Sequence, residues 1–129
     1  MLRERGVSPT AQRIAIALEL LPKPTHLSAE EITRRVALRD DNVSRATVYN
    51  TLRCFVENGL IRQVNVGAER VFYDSNTGPH HHFYDPENGE LTDIDSTDVS
   101  ILTLPKLPEG REAESVDLVI RLKPTGATR

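Results

Sequence analysis

Residues Ser44 to Ile61, SRATVYNTLRCFVENGLI, carry both a start and a stop signal for one helix and so set a landmark for the rest of the chain. The Ser44 hydroxyl can accept a backbone N–H of the first turn, and Gly59 can take the left-handed conformation that ends a helix. Between them Val48, Leu52, Phe55 and Val56 recur at helical spacing as one apolar arc. Ala46, Asn50 and Arg53 make a second ridge, with Tyr49 at its border. That ridge is small or flat, hydrogen-bonding and basic, which suits a helix lying in a DNA major groove. An ordinary amphipathic surface helix has the same pattern, so the flanking elements decide.

Upstream, Ser8-Pro9 reads as an N-cap followed by a first-turn proline. Ile14, Leu18 and Leu21 follow at helical spacing until Pro22 and Pro24 end the run. Ser28-Ala29-Glu30-Glu31 has the form of a capping box, and Ala29, Ile32 and Val36 supply its apolar stripe. Downstream, Ile61, Val64 and Val66 lie in an extended run, Gly67-Ala68-Glu69 can turn, and Val71-Phe72-Tyr73 can return. Three helices and a two-stranded wing make a winged helix-turn-helix with the third helix as reader.

The charge is divided along the chain. Residues 1–66 hold ten Lys/Arg and seven Asp/Glu, a net +3, whereas residues 67–129 hold six and twelve, a net −6. A basic front and an acidic back suit a DNA-reading module joined to a regulatory one. No apolar run is long enough for a membrane span, and Met1-Leu2-Arg3-Glu4-Arg5 lacks a signal-peptide core, so a cytoplasmic address is expected. A single Cys54 excludes an internal disulfide and a cysteine-rich zinc cage.

The join falls in the polar, turn-rich stretch from Asp74 to Pro79. Beyond it, His80 to Tyr84 reads as a strand, Asp85-Pro86-Glu87-Asn88-Gly89 as a turn and Glu90 to Ile94 as the return strand. Thr97 to Leu104 is expected as a short helix, and Ser115 to Leu122 alternates as a further strand. The expected organisation is a winged-helix domain over 1–74, a hinge over 75–79, a small α/β dimerisation and sensing domain over 80–124 and a disordered tail over 125–129. The class is α+β. Residues i and i+2 of a strand share a face, so His80 and His82 project together and His81 away from them. Two imidazoles on one face can grip a divalent ion.

Gly6-x-Ser8-x-Thr10-x-Gln12-Arg13, His26-Leu27-Ser28-Ala29-Glu30-Glu31-Ile32, Ala46-Thr47-Val48-Tyr49-Asn50-Thr51-Leu52, Gly59-Leu60-Ile61 and the His80-His81-His82 run stand in the order of corresponding motifs of one family. Over residues 6–95 the chain resembles the ferric uptake regulator family. That resemblance implies a homodimeric, metal-responsive regulator of transcription, a repressor rather than an enzyme, that binds a palindromic site on double-stranded DNA. It implies a ferrous or manganous ion held by His26, Asp74, His80, His82 and Asp93, and DNA contacts from Arg13, Arg45, Tyr49, Asn50 and Arg53.

Departures from the pattern narrow the expectation. The usual Cys-x-x-Cys pair for structural zinc is replaced by Asp85 and Asn88, so no structural zinc is expected. The histidine triplet, Asn50 after the Val-Tyr pair and the missing cysteines look most like the iron response regulator branch. That branch implies iron homeostasis and offers haem, through His80, His81 and His82, as the alternative ligand. The spacing of Asp74 and Asp93 about the histidines also fits the peroxide-sensing branch, and a manganese- or zinc-responsive regulator stays open. Two other classes remain. One is a metalloenzyme using the histidines with Asp93 and Glu90, and the other is a module whose winged helix binds protein.

Overall fold

The computed structural model describes residues 2–67, 70–100 and 103–126. The chain divides into two compact units, Met1–Thr77 and Gly78–Arg129.

The first unit places α1 (Ala11–Leu20), β1 (His26–Ser28), α2 (Ala29–Arg39), α3 (Arg45–Glu57), β2 (Arg62–Gly67) and β3 (Arg70–Asp74) in chain order, after a short 3-10 turn at Arg3–Arg5. Each α-helix opens on a hydroxyl cap. Ser28 accepts from the Glu31 N–H and Ser44 from the Thr47 N–H, each at 3.1 Å. The cap of α1 is Thr10, which accepts from the Arg13 N–H at 3.2 Å, and not Ser8 as expected. Ser8 contributes its carbonyl, which accepts from the Arg13 guanidinium at 3.1 Å. With Thr10 one residue after Pro9, the hydroxyl nearer the first periodic residue wins the cap.

Gly59 stops α3 with φ +73°. Its N–H reaches the Val56 carbonyl and that of Leu60 the Phe55 carbonyl, the paired bonds of a Schellman ending. The core forms where Val48, Leu52 and Phe55 of α3 meet Ile16 and Leu20 of α1 and Ile32 and Val36 of α2. Of the apolar residues read at helical spacing in α1, Ile14 and Leu18 are 44% and 48% exposed, and Ile16 and Leu20 take the core instead. Residues 14–18 and 20–21 are all apolar, so helical spacing alone could not select a face.

The wing is an antiparallel pair, β2 on β3. The expected turn includes Ala68 and Glu69, which lie outside the described residues. Strand β1 was not foreseen. It adds to the other edge of β3, giving the order β1-β3-β2. The two faces of this sheet differ. Leu27, Val71 and Tyr73 turn to the helical core, while His26, Ser28, Arg62, Val64, Phe72 and Asp74 take the alternate face.

The second unit is a three-stranded sheet in the order β5-β4-β6, from β4 (His80–Asp85), β5 (Glu90–Asp95) and β6 (Val119–Arg121). The β4–β5 turn forms where expected. Asp85 accepts from the Glu87 N–H, Asn88 from the Glu90 N–H, and Gly89 takes φ +75°. Asp85 and Asn88, which replace the cysteine pair, thus serve the turn itself.

The helix expected over 97–104 does not form in its described part. Asp95 accepts from both the N–H and the hydroxyl of Thr97, each at 2.9 Å. These bonds hold its carboxyl below the usual range and wind a 3-10 turn over Ser96–Asp98. Val99 is then extended, as a β-branched residue in a poor helix former favours. Ile101 and Leu102 lie outside the described residues. The strand expected over 115–122 shortens to Val119–Arg121 and pairs parallel to β4. Of the tail expected to be disordered, residues 127–129 lie outside the described residues. Among the described residues, no helix is long and apolar enough to cross a membrane.

Candidate metal centre and reading helix

Two groups of candidate ligands form, one in each unit. In the second unit, antiparallel pairing puts His82 opposite Asp93, and the pleat brings His80 to the same face. The rings of His80 and His82 meet edge-on with centroids 4.6 Å apart. Both Nε2 atoms face one oxygen, the Asp93 Oδ1, at 3.6 Å from His80 and 3.4 Å from His82. Ligands bound about 2.1 Å from one ion at tetrahedral or octahedral angles stand about 3.0–3.4 Å apart. The three donors therefore fit one coordination sphere after a shift of a few tenths of an ångström. The two imidazoles are buried and Asp93 opens to solvent.

Hydrogen bonds fix which nitrogen can bind. The Nδ1 of His80 lies 2.7 Å from the Gly78 carbonyl, which can only accept, so Nδ1 carries a proton and, in the neutral ring, Nε2 is the nitrogen with the lone pair. A ring N–H held by a carbonyl is the usual outer support of a metal-bound imidazole. His81 has the opposite assignment. Its Nδ1 accepts from the Leu118 N–H at 3.0 Å, which places the proton of the neutral ring on Nε2. His81 is therefore a fastener between β4 and the chain entering β6. Only two of the three histidines expected to serve haem share a face.

In the first unit, His26 and Asp74 are direct cross-strand partners on β1 and β3. Asp74 is 1% exposed, and its Oδ1 accepts from the Asn76 N–H at 2.8 Å. His26 is half-buried with its ring edge-on to Phe72, centroids 6.5 Å apart. Strand β1 is what aligns His26 with Asp74. The sequence signal for it was only the short Thr25-His26-Leu27-Ser28 run between proline and helix.

The reading helix presents the ridge read from the sequence. Arg45, Ala46, Tyr49, Asn50 and Arg53 of α3 are exposed, and the Arg53 guanidinium reaches Asn50 Oδ1 at 3.4 Å. A polar groove of about 460 Å³ joins Asn50, Thr47 and Thr51 of α3 to Thr10, Gln12 and Arg13 at the start of α1. Tyr73 lies under this helix. Its burial raises the phenol above its ordinary range, with Tyr49 and Glu30 adding to the effect and Arg53 opposing it.

Comparison with known proteins places this arrangement. A peroxide-responsive repressor of Staphylococcus aureus (strain USA300) is 36% identical over 93 residues, which is 72% of this chain and 63% of that relative's length. The ferric uptake regulator of Francisella tularensis, solved with iron, superposes with a TM-score of 0.74 at 20% identity over 96% of each chain. That of Pseudomonas aeruginosa, solved with manganese, gives 0.68 at 23% identity over 95% of this chain and 94% of its own. These likenesses confirm the α+β class and the winged helix followed by a small sheet domain. The model of the ferric uptake regulator family matches residues 4–121, and the chain belongs to that family.

Proposed function

We propose that the protein is a metal-responsive DNA-binding regulator of transcription, working as a homodimer on a two-fold symmetric operator, and that it has no catalytic role. The observation that carries the reading is the convergence of the Nε2 atoms of His80 and His82 on the Asp93 carboxylate, with the His80 ring held by the Gly78 carbonyl. Imidazole and carboxylate donors without a thiolate suit ferrous, manganous or zinc ions. His80, His82 and Asp93 would hold the ion, and His26 with Asp74 would supply the remaining donors from the DNA-reading unit. An ion held by both sets of ligands would favour one arrangement of the reading heads. Two half-sites on DNA have a fixed spacing, so operator and ion change each other's affinity by the same factor.

On the DNA side, Asn50 would pair with a base, most naturally adenine. Tyr49 would meet a thymine methyl or a sugar edge, and Arg13, Arg45 and Arg53 would hold phosphates. Iron homeostasis, in the manner of the iron response regulator branch, is the physiological role we assign. The second reading is a peroxide-responsive regulator, favoured by the 36% identity to the staphylococcal repressor. Haem is the less favoured ligand, since the Nδ1 of His81 accepts from Leu118.

Titrating the wild type, the His80→Ala/His82→Ala double variant and Asp74→Ala with ferrous ion, manganous ion and haem tests this reading. The double variant should lose tight ion binding and the ion's effect on operator affinity while keeping the operator affinity of the ion-free protein. Asp74→Ala should weaken ion binding and spare any haem absorbance. Loss of ferrous-dependent operator binding on adding peroxide would select the second reading. If none of the three ligands alters DNA binding by the wild type, the protein is not a sensor of this kind.

A further inference from the structure

Asp74 has a second cross-strand neighbour. Strand β3 is the centre of its sheet, and where β1 sets His26 against Asp74, β2 sets Arg62 against it. Directly paired residues point to one side of a sheet, with Cβ atoms about 4.5–5.5 Å apart. His26, Asp74 and Arg62 thus make a row across the face turned away from the helical core. Below that row, Ser28, Phe72 and Val64 make the next one. Asp74 is almost fully buried, whereas Arg62 keeps partial access to solvent. A buried carboxylate is costly unless a cation or a set of donors faces it. The Asn76 N–H supplies one donor, and Arg62 brings a guanidinium to the same cross-strand row.

We propose that Arg62 is the resident counter-cation of Asp74, against which a divalent ion must compete for that carboxylate, so that Arg62 sets the threshold of the ion site. This rests on the ion reading given above and deepens it. Two consequences follow from position. An ion held by Asp74 puts a double positive charge beside a single one, so the ion's affinity is lowered by repulsion and by the loss of the ion-free pair. Arg62 also opens β2, three residues past the Gly59 that ends the reading helix. Displacing its side chain therefore acts on the first residue of the wing, within the DNA-reading unit itself.

The experiment is a double-mutant cycle read by manganous-ion titration of the full chain, with thermal unfolding of the ion-free protein as a second readout. Arg62→Gln should bind manganous ion about tenfold more tightly than the wild type, the scale of one close charge pair partly screened by water. Its ion-free Tm should fall, because Asp74 is left buried without its cation. Arg62→Lys keeps the charge but not the two-pronged geometry, so a smaller tightening of about threefold is expected. In an Asp74→Asn background, Arg62→Gln should leave the remaining ion affinity unchanged. Unchanged or weaker binding by both Arg62 variants, with normal binding by the wild type, overturns the proposal. Equal tightening in the Asp74→Asn background overturns it too, since that is a general field effect and not a pair. Failure of the wild type to bind the ion at all sinks the ion reading itself, and with it this inference.

Discussion

Adjacent imidazoles on β4 do different work because the pleat turns them to opposite faces. His80 donates through Nδ1 and is left with a binding nitrogen, while His81 accepts through Nδ1 and ties down β6. The same rule of partners governs Glu31 on α2. Hydrogen bonds from Arg34 and then Arg35 bring its pKa from the ordinary 4.5 to about 2, with burial opposing slightly. A carboxyl depressed on folding stabilises the native state above its unfolded pKa and loses that contribution as pH falls through the folded value. The stabilisation from Glu31 should therefore be complete above about pH 4.5 and be lost towards pH 2. Both arginines are well exposed, so the effect is small and screened by salt. Thermal unfolding of Glu31→Gln against wild type from pH 2 to pH 6 should show curves that converge at the acid end. Parallel curves would remove the assigned role.

Helix boundaries offer a sharper comparison at the level of elements. Thr10 caps α1 through its hydroxyl, whereas Ser8 acts only through its carbonyl. Thr10→Ala should cost about 1 kcal/mol, the usual price of a lost N-cap. Ser8→Ala should stay within about 0.5 kcal/mol, as for an exposed surface change. Urea unfolding of both variants decides it, and the reverse order would restore Ser8 as the cap. The second unit gives the complementary case. Ser115 to Leu122 alternates as a strand should, yet only three residues pair, because β6 is an edge strand fastened at His82, Tyr84 and His81.

Over the whole molecule, the split of charge fits the division of labour proposed for the two units. Arg45 and Arg53, the exposed arginines of the α3 ridge, belong to the net-basic half of the chain. Arg53→Ala should weaken binding to every duplex and flatten the dependence of affinity on salt, as loss of a phosphate contact does. Asn50→Ala should cost about 1–3 kcal/mol at one operator position and leave random duplex almost untouched. Fluorescence anisotropy over a salt series on operator and scrambled DNA separates the two. A uniform loss from the Asn50 change would remove its role in reading a base.

The helices of the reading unit, two of the three caps, the wing and the β4–β5 turn were all legible in the residues. Each depends on neighbours within a few positions, as with Ser44 and Thr47 or Gly59 and Val56. The facing of His80 and His82 was legible too, since alternation along a strand needs no partner. What the sequence left open depends on distant chain. It could not choose the buried face of α1, because nearly every position there is apolar and the facing helices decide. It could not show that β1 exists, because three residues form a strand only once β3 offers an edge. That edge sets His26 on one side of Asp74, as β2 sets Arg62 on the other. Nor could it say which nitrogen of His80 or His81 makes a backbone hydrogen bond, since the Gly78 carbonyl and the Leu118 N–H settle that only in the folded second unit.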